Sequence, residues 1–516
     1  MEWLLIVAFA ACIITPLVVQ ATGLGGEDVI ASRERRVPAP PPKLPRNLES
    51  WAKFPRATED WYAERFGLRN QLLTAQHWMK LELFDETPVE RVVIGRDDWL
   101  FTNSSDALDC NRGTRPFTAE QLRDWRESLK ARRDWLASKG IDYALVLVPG
   151  KAAVYTEQVP RQYERRGPSR REQFLEELRQ EDDLLVVDLL PALQAERDDD
   201  TADDHVYYPL GMHWTARGAL VANAAIVQAL PPRHQGRPPA TREDMEKRYS
   251  TGGDDFSHQF LVSGRFQQGE YYFVPAGQIP SHVAGGSNGE PDFDLPTWIS
   301  SETGLTRALV VRDSFGNMIM PFLAQQFSRL NEVTSLNFSP ALVEELHPDV
   351  VIELFVDHTL GYHLPQQQRV FDREALREAF EASQEVLLAP VGEGDAPELV
   401  GLRGTQVGKT KRGTRIATDG SGSVTLPPFT WTADQDVVLA LDISAPAPTF
   451  LSLYYPLEGV NAYREKQATD VPIHPGRQTI YVALPPPVAP GPIALLPGRT
   501  GGDYMIHDVE ARVVTP

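Results

Sequence analysis

Cysteine is nearly absent from this 516-residue chain: there are two, Cys12 in an apolar N-terminal run and Cys110 in a polar loop. Two such positions build neither a disulfide framework nor a cysteine-rich metal site. Positive charge is also scarce. Lys and Arg number 51 against 71 Asp and Glu, a formal net charge of -20. That balance does not supply the basic clusters that phosphate backbones require, so no nucleic-acid partner is expected. No long-period internal repeat occurs, which removes solenoids and propellers. Metal ligands are sparse too. The stretch GGDDFSHQF gathers Asp254, Asp255 and His258, with His205 upstream, yet no defined element sets the spacing that a zinc or hard-metal site needs. It reads as a solvated turn, and no metal or cofactor is expected.

What is present belongs to a globular protein, with 42% hydrophobic and 24% charged residues. This length exceeds one ordinary core and calls for about three units. Residues 1–26 form the first segment. Trp3 to Gly26 is apolar apart from Gln20 and a few hydroxyls, long enough to cross a hydrocarbon layer of roughly 30 Å. It is either an uncleaved anchor or a signal peptide. Val19-Gln20-Ala21 offers a cleavage site, but Glu2 is the only charged side chain before it, so the basic leader of a signal peptide is missing. Arg33, Arg35 and Arg36 follow, and by the positive-inside rule they would hold their side in the cytoplasm.

Residues 27–85 open with the Pro-rich linker VPAPPPKLPRNLESW and continue into short helices. From 86 to 395 the pattern is α/β. VVIGRDDWLF reads as strand, tight turn, strand. Thr118 with Gln121, and Ser169 with Glu172, are capping boxes that open helices. YALVLVP, LLVVDL, ALVV (308–311) and VVIELFV (350–356) are nearly all-apolar strands alternating with helices, the latter including Thr215 to Leu230 and about 315–327. Such runs belong to a doubly wound, mostly parallel sheet covered on both faces. Residues 231–306 give few clear signals. From 396 to 516 short strands separated by Pro and Gly indicate a β-sandwich.

Two stretches carry chemistry. In ALVVRDSFGNMIMPFL a buried strand ends at Arg312-Asp313 and turns into a helix, which puts Ser314 at the carboxyl edge of the sheet, where open α/β sheets place their sites. Its hydroxyl is a candidate nucleophile, and its N–H with neighbouring donors a candidate oxyanion site. Ser314 and Asp313 are equally good helix caps. In YYPLGMHWTARGA, His213 precedes the helix capped by Thr215, and Trp214 is placed to pack over its first turn. The helix dipole favours the neutral imidazole that a general base needs. A base of this kind works best when a third group fixes its tautomer.

VVIGRDDWLF, VPGKAAVYTEQVP, YYPLGMHWTARGA, LVVRDSFGNMIMPFL and PDVVIELFVD, in this order, resemble the AlgX/AlgJ-type SGNH-hydrolase-like proteins, O-acetyltransferases of alginate and related exopolysaccharides. The likeness runs from about Glu49 to Leu360. It implies an SGNH-hydrolase-like α/β fold, an extracytoplasmic body, an exopolysaccharide substrate, and an acetyl donor or acetyl-delivering membrane partner. In that family an Asp-x-His-Trp motif supplies acid and base and an Asp-Ser-Phe turn supplies the nucleophile. Carried over, the base is His213 and the nucleophile Ser314, while Gly211 stands at the acid's position. Asp188, at the end of LLVVD, and Asp313, beside the serine, are the candidate substitute acids. Lys151, Arg312 and Trp214 are candidate substrate contacts. The sandwich matches the carbohydrate-binding module of some members in position and class. Two functions therefore stand side by side: a serine acyltransferase or acetylesterase impaired by loss of its acid, and a non-catalytic glycan-binding scaffold of an exopolysaccharide export complex.

Overall fold

The computed structural model describes the chain except residues 1, 23–40, 43, 46–47, 85, 202–203, 251–269, 277–280, 285–294, 336, 362–371, 391–395, 403–404, 433–434, 456–467, 486–490 and 515–516. Residues 37–40, 43, 46 and 47 of the Pro-rich linker, Arg33 to Arg36, and the cluster Asp254, Asp255, His258 lie outside the described residues. Glu2–Thr22 is a helix containing Pro16. Among the described residues no helix is long and apolar enough to cross a membrane, so the expected anchor gains no support. Helices Leu48–Arg65 and Arg69–Phe84 follow, then a two-stranded hairpin, β1 (Val92–Ile94) and β2 (Leu100–Thr102), in the register Val92 to Thr102.

The central sheet is assembled from β3 (Asp142–Val148) and β4 (Leu185–Asp188), then, past the separate hairpin of β5 (Met245–Ser250) and β6 (Glu270–Pro275), from β7 (Ser281–Ala284), β8 (Pro296–Ile299), β9 (Arg307–Arg312), β10 (Arg329–Thr334) and β11 (Val350–Val356). Its order is β4-β3-β11-β9-β10-β8-β7. The first five strands in that order are parallel to their neighbours, and β8 and β7 close one edge antiparallel. This is the doubly wound, mostly parallel architecture that the alternation of apolar strands and helices requires.

Two-residue periodicity divides the strands between two cores. Ala144, Val146 and Val148 of β3 join Ile352, Leu354 and Val356 of β11 and face the helix Ala216–Ala229 and the helix Gly316–Leu323. Tyr143, Leu145 and Leu147 join Val351 and Phe355 on the other side, under the helix Ala119–Ser138 and the helix Arg170–Leu178. Both of these last helices open with the capping boxes read from the sequence, Thr118 with Gln121 and Ser169 with Glu172. One charge interrupts the second core. Glu353 of β11 is fully buried and is met there by Arg132, also buried, and by the Tyr143 hydroxyl. A buried carboxylate requires such partners, because desolvating it alone costs several kcal/mol.

The C-terminal region is all antiparallel. One sheet is built around the long strand Gly502–Val514 between Gly413–Thr418 and Asp436–Ala445; a second pairs Thr449–Tyr454 with Ala468–Ile473 and Ala494–Leu496. Leu439, Leu441 and Ile443 from the first sheet interdigitate with Leu451, Leu453 and Ile473 from the second, giving the β-sandwich. Glu385–Leu388, which precedes the composition change near 396, also pairs with the strand Gly502–Val514. The two units are packed together: Ser339 Oγ donates to the Asp470 carbonyl, His474 meets Glu345, and Phe450 enters the α/β core.

Candidate active site

The nucleophile's turn is held by its own strand. After β9, the buried Asp313 spends both carboxylate oxygens on backbone: Oδ1 accepts from the Phe315 N–H and Oδ2 from the Val356 N–H, each at 2.8 Å. That welds the end of β9 to the end of β11 and leaves Ser314 at the rim, partly exposed. The Ser314 N–H has no acceptor among the described residues, so it is available to an oxyanion. Phe315 is the helix cap and Gly316 begins the helix. Gly316 is required sterically, since a Cβ there would collide with the Arg312 side chain passing beneath.

Arg312 itself is not a substrate contact. Its guanidinium is buried and grips Glu332 of β10 through Nε at 2.9 Å and Nη2 at 2.6 Å, with Nη1 on the Asp313 carbonyl. Trp298 donates to the other Glu332 oxygen at 3.0 Å. The sequence placed Arg312 at the correct edge, but the side chain folds back under the turn.

The base is carried by a hairpin-like loop. Tyr207 pairs with Trp214, the Tyr208 N–H donates to the His213 carbonyl, and the Thr215 N–H donates to the Val206 carbonyl. Thr215 caps the helix that follows, accepting from the Gly218 N–H. The loop brings His213 Nε2 to 2.9 Å from Ser314 Oγ, across more than a hundred residues of chain. Phe315 supports the ring from below, its centroid 4.9 Å from that of the imidazole. Trp214 is fully buried and does not face a substrate; its Nε1 donates to the Phe315 carbonyl at 3.0 Å. The residues following the base and the nucleophile are therefore bonded to each other, which fixes the spacing of the pair.

Lys151 also departs from the expected role. It is 5% exposed, and its ammonium donates to the carbonyls of Tyr208 at 2.9 Å, Pro209 at 2.9 Å and Gly211 at 2.6 Å. The rings of Trp99 and Phe101 cover it, at 5.4 and 5.0 Å. Instead of reaching for an anionic sugar, Lys151 clips the inside of the loop that presents His213. The outer end of the loop is braced by Tyr155, whose hydroxyl bonds Asp200 and accepts from the Val206 N–H, and by buried Arg217, which holds Glu196 and Asp200. Burial, then the Asp200 carboxylate, pushes the Tyr155 hydroxyl's pKa well above its ordinary value. His205, once grouped with the metal candidates, faces Asp200 at 3.1 Å within the same brace.

Of the two substitute acids, Asp313 bonds backbone as described above, and Asp188 is engaged elsewhere. Asp188 takes Arg171 on both oxygens at 2.7 Å and accepts from the Leu190 N–H, and it makes no hydrogen bond to His213. Gly211, buried at the acid's position, contributes only its backbone.

One carboxyl of this rim was not singled out from the sequence. Asp357 follows β11 directly, accepts from the Gly150 and His358 N–H groups, and is largely but not fully buried, its side chain 14% exposed; this desolvation raises its pKa to about 6. The signal was present: VVIELFVD ends an apolar strand in an acid at the same edge that located Ser314.

Parts of the chain are similar to known proteins. Residues 92–259 match the family described as SGNH hydrolase-like domain, acetyltransferase AlgX, a stretch that includes Lys151 and His213 and stops before Ser314. A probable alginate O-acetylase AlgJ of Pseudomonas putida is 30% identical over 178 residues, 34% of this chain and 43% of that relative, so the match spans less than half of the relative's length. Among solved structures, the O-acetyltransferase domain of P. putida AlgJ is similar at 20% identity over 53% of this chain and 93% of that one, with a TM-score of 0.35. Pseudomonas aeruginosa AlgX is similar at 16% identity over 82% and 94%, with a TM-score of 0.40. The resemblance read from the sequence thus stands for the stretches matched: residues 92–259 are similar to the AlgX family model, and 178 residues are similar to AlgJ.

Proposed function

We propose that this AlgX/AlgJ-like domain is an O-acetyltransferase, or acetylesterase, acting outside the cytoplasm on an exopolysaccharide through an acyl-enzyme on Ser314. The observation that carries the reading is the 2.9 Å approach of His213 Nε2 to Ser314 Oγ at the carboxyl edge of a parallel sheet. Ser314 Oγ attacks the acyl carbon of the donor while its proton passes to Nε2. The carbonyl oxygen becomes an oxyanion facing the Ser314 N–H, a donor of the kind worth about 10²–10³ in rate. Collapse expels the donor's alkoxy group, which takes the proton from His213 and leaves the acetyl ester on Ser314. A sugar hydroxyl, or water, then gives its proton to Nε2 and attacks that ester, and the serine recovers its hydrogen. An exopolysaccharide substrate is supported by the alginate O-acetylase relative; the extracytoplasmic location and a membrane partner that delivers the acetyl group belong to the same proposal. A carbohydrate-binding role for the sandwich belongs to the same reading.

Gly211 supplies no carboxylate at the family's acid position, and the steps above are assigned to the Ser314–His213 dyad. In serine hydrolases loss of the acid lowers turnover by about 10⁴, while oxyanion binding and positioning retain roughly 10³–10⁴ over water. The test is release of p-nitrophenol from p-nitrophenyl acetate by the purified chain and by its Ser314→Ala and His213→Ala variants. Turnover that falls at least about 10²-fold in both supports the acyl-enzyme. Rates equal to wild type in both leave the second reading, a glycan-binding scaffold, which Gly211 and the engagement of Asp188 by Arg171 favour.

A further inference from the structure

Beside the dyad lies a cavity of about 30 Å³ that the mechanism above does not use. Met212 and Phe315 form one wall, and they are the chain neighbours of His213 and Ser314. Phe101 from β2 and Leu108 from the helix Ala107–Arg112 form the opposite wall, and Gly150 and Asp357, the residues at the ends of β3 and β11, line it as well. Since β11 lies between β3 and β9 in the sheet, the cavity opens at the same rim as Ser314.

Its size and lining restrict the occupant. A water-sized group needs about 10–15 Å³ in this measure, so the space takes two or three such groups, and a pyranose ring does not fit. Three of the polar groups around it are engaged by the protein: the Asp357 carboxyl accepts from two backbone N–H groups, Asn111 Nδ2 donates to the Ala152 carbonyl, and the Lys151 ammonium donates to loop carbonyls; Thr102 and His358 line it as well. An apolar wall beside a nucleophile suits an alkyl group and disfavours a hydroxyl left without a partner.

We propose that this cavity receives the acyl chain that Ser314 carries, and that Phe101, Leu108 and Met212 limit that chain to about two to four carbons. The inference rests on the acyl-enzyme reading. The sugar acceptor then approaches from the solvent side of Ser314, not through this pocket.

The experiment is a series of p-nitrophenyl esters, acetate, butyrate and octanoate, with the full chain and two variants of opposite effect. Wild type is expected to prefer acetate and to leave octanoate nearly untouched. Met212→Ala, which lengthens the pocket, raises the butyrate-to-acetate ratio of kcat/KM by roughly ten-fold; Ala107→Leu, which fills it from the helix start, lowers that ratio by a similar factor. Thermal midpoints close to wild type show that both variants are folded. Ratios that stay within about two-fold of wild type in both folded variants, with turnover still dependent on Ser314, overturn the pocket alone. Equal use of octanoate and acetate by wild type overturns it too. Absence of any Ser314-dependent turnover removes the acyl-enzyme itself, and the pocket assignment with it.

Discussion

The turn bearing Ser314 and the loop bearing His213 are built in opposite ways. The turn is an extension of β9, held by backbone hydrogen bonds to β11 and by one buried carboxylate, Asp313. The loop lies outside the sheet and keeps its shape through side chains from other segments: Lys151 inside it, Tyr155 and Arg217 at its outer end, Trp214 across to the turn. A strand end is positioned by many redundant bonds, whereas a loop is positioned by a few. The nucleophile is therefore the robust half of the pair and the base the sensitive half.

The largest expected effect separates chemistry from position. Ser314→Ala removes the reacting atom without touching the backbone that holds the turn, so ester turnover falls by about 10³-fold or more while thermal stability hardly moves. Next in size is Lys151→Met, which keeps the apolar stem and deletes the ammonium; the Tyr208 and Pro209 carbonyls keep the Gly211 and Leu100 N–H groups, while the Gly211 carbonyl loses its donor. It is expected to lower kcat by about 10²-fold, as a misplaced base does, with KM little changed, and to lower stability by about 1–3 kcal/mol. A loss shared equally between kcat and KM, or no loss, would show that Lys151 does not position the loop.

A smaller and opposite effect probes the vacant acid position. Gly211 is not among the residues with positive φ, so its backbone angle does not itself oppose an aspartate. Gly211→Asp restores a carboxylate two residues before the base and is expected to raise kcat by about ten-fold or more; the same change in a His213→Ala background does nothing. The smallest effect lies at Asp357. Its carboxyl titrates at about 6 in the fold against an ordinary 3.8, so the folded state binds the proton more tightly. Its contribution to stability is complete below pH 4 and is lost as pH rises toward 6. Asp357→Asn should flatten that dependence, so the stability difference between variant and wild type changes by about 3 kcal/mol between pH 4 and pH 7. A difference that stays constant across that range would contradict the burial of this acid.

The same contrast explains what was legible in the sequence. β9, β11 and the two capping boxes are local patterns, an apolar run or a residue pair three apart, and the fold follows them closely. β10 was not recognised because RLNEVT carries Asn331 and Glu332. Their partners are mostly distant, Thr297 for Asn331 and Arg312 with Trp298 for Glu332, which no local pattern displays. β7 and β8 lie in a Gly- and Asp-rich stretch of sequence and gave no signal. Position along the chain located the candidate residues, and packing decided their direction. Lys151, Arg312 and Trp214 all lie at the rim as read, yet long or broad side chains there fold inward when carbonyls or a carboxylate wait beneath them.

The most direct measurement is the mass of the intact chain after brief mixing with p-nitrophenyl acetate and acid quenching, followed by peptide mapping. The account requires one added acetyl group, on the peptide containing Ser314, absent in Ser314→Ala and formed far more slowly in His213→Ala. An unmodified Ser314 peptide in a chain that still releases nitrophenol, or acetyl on another residue, would contradict it.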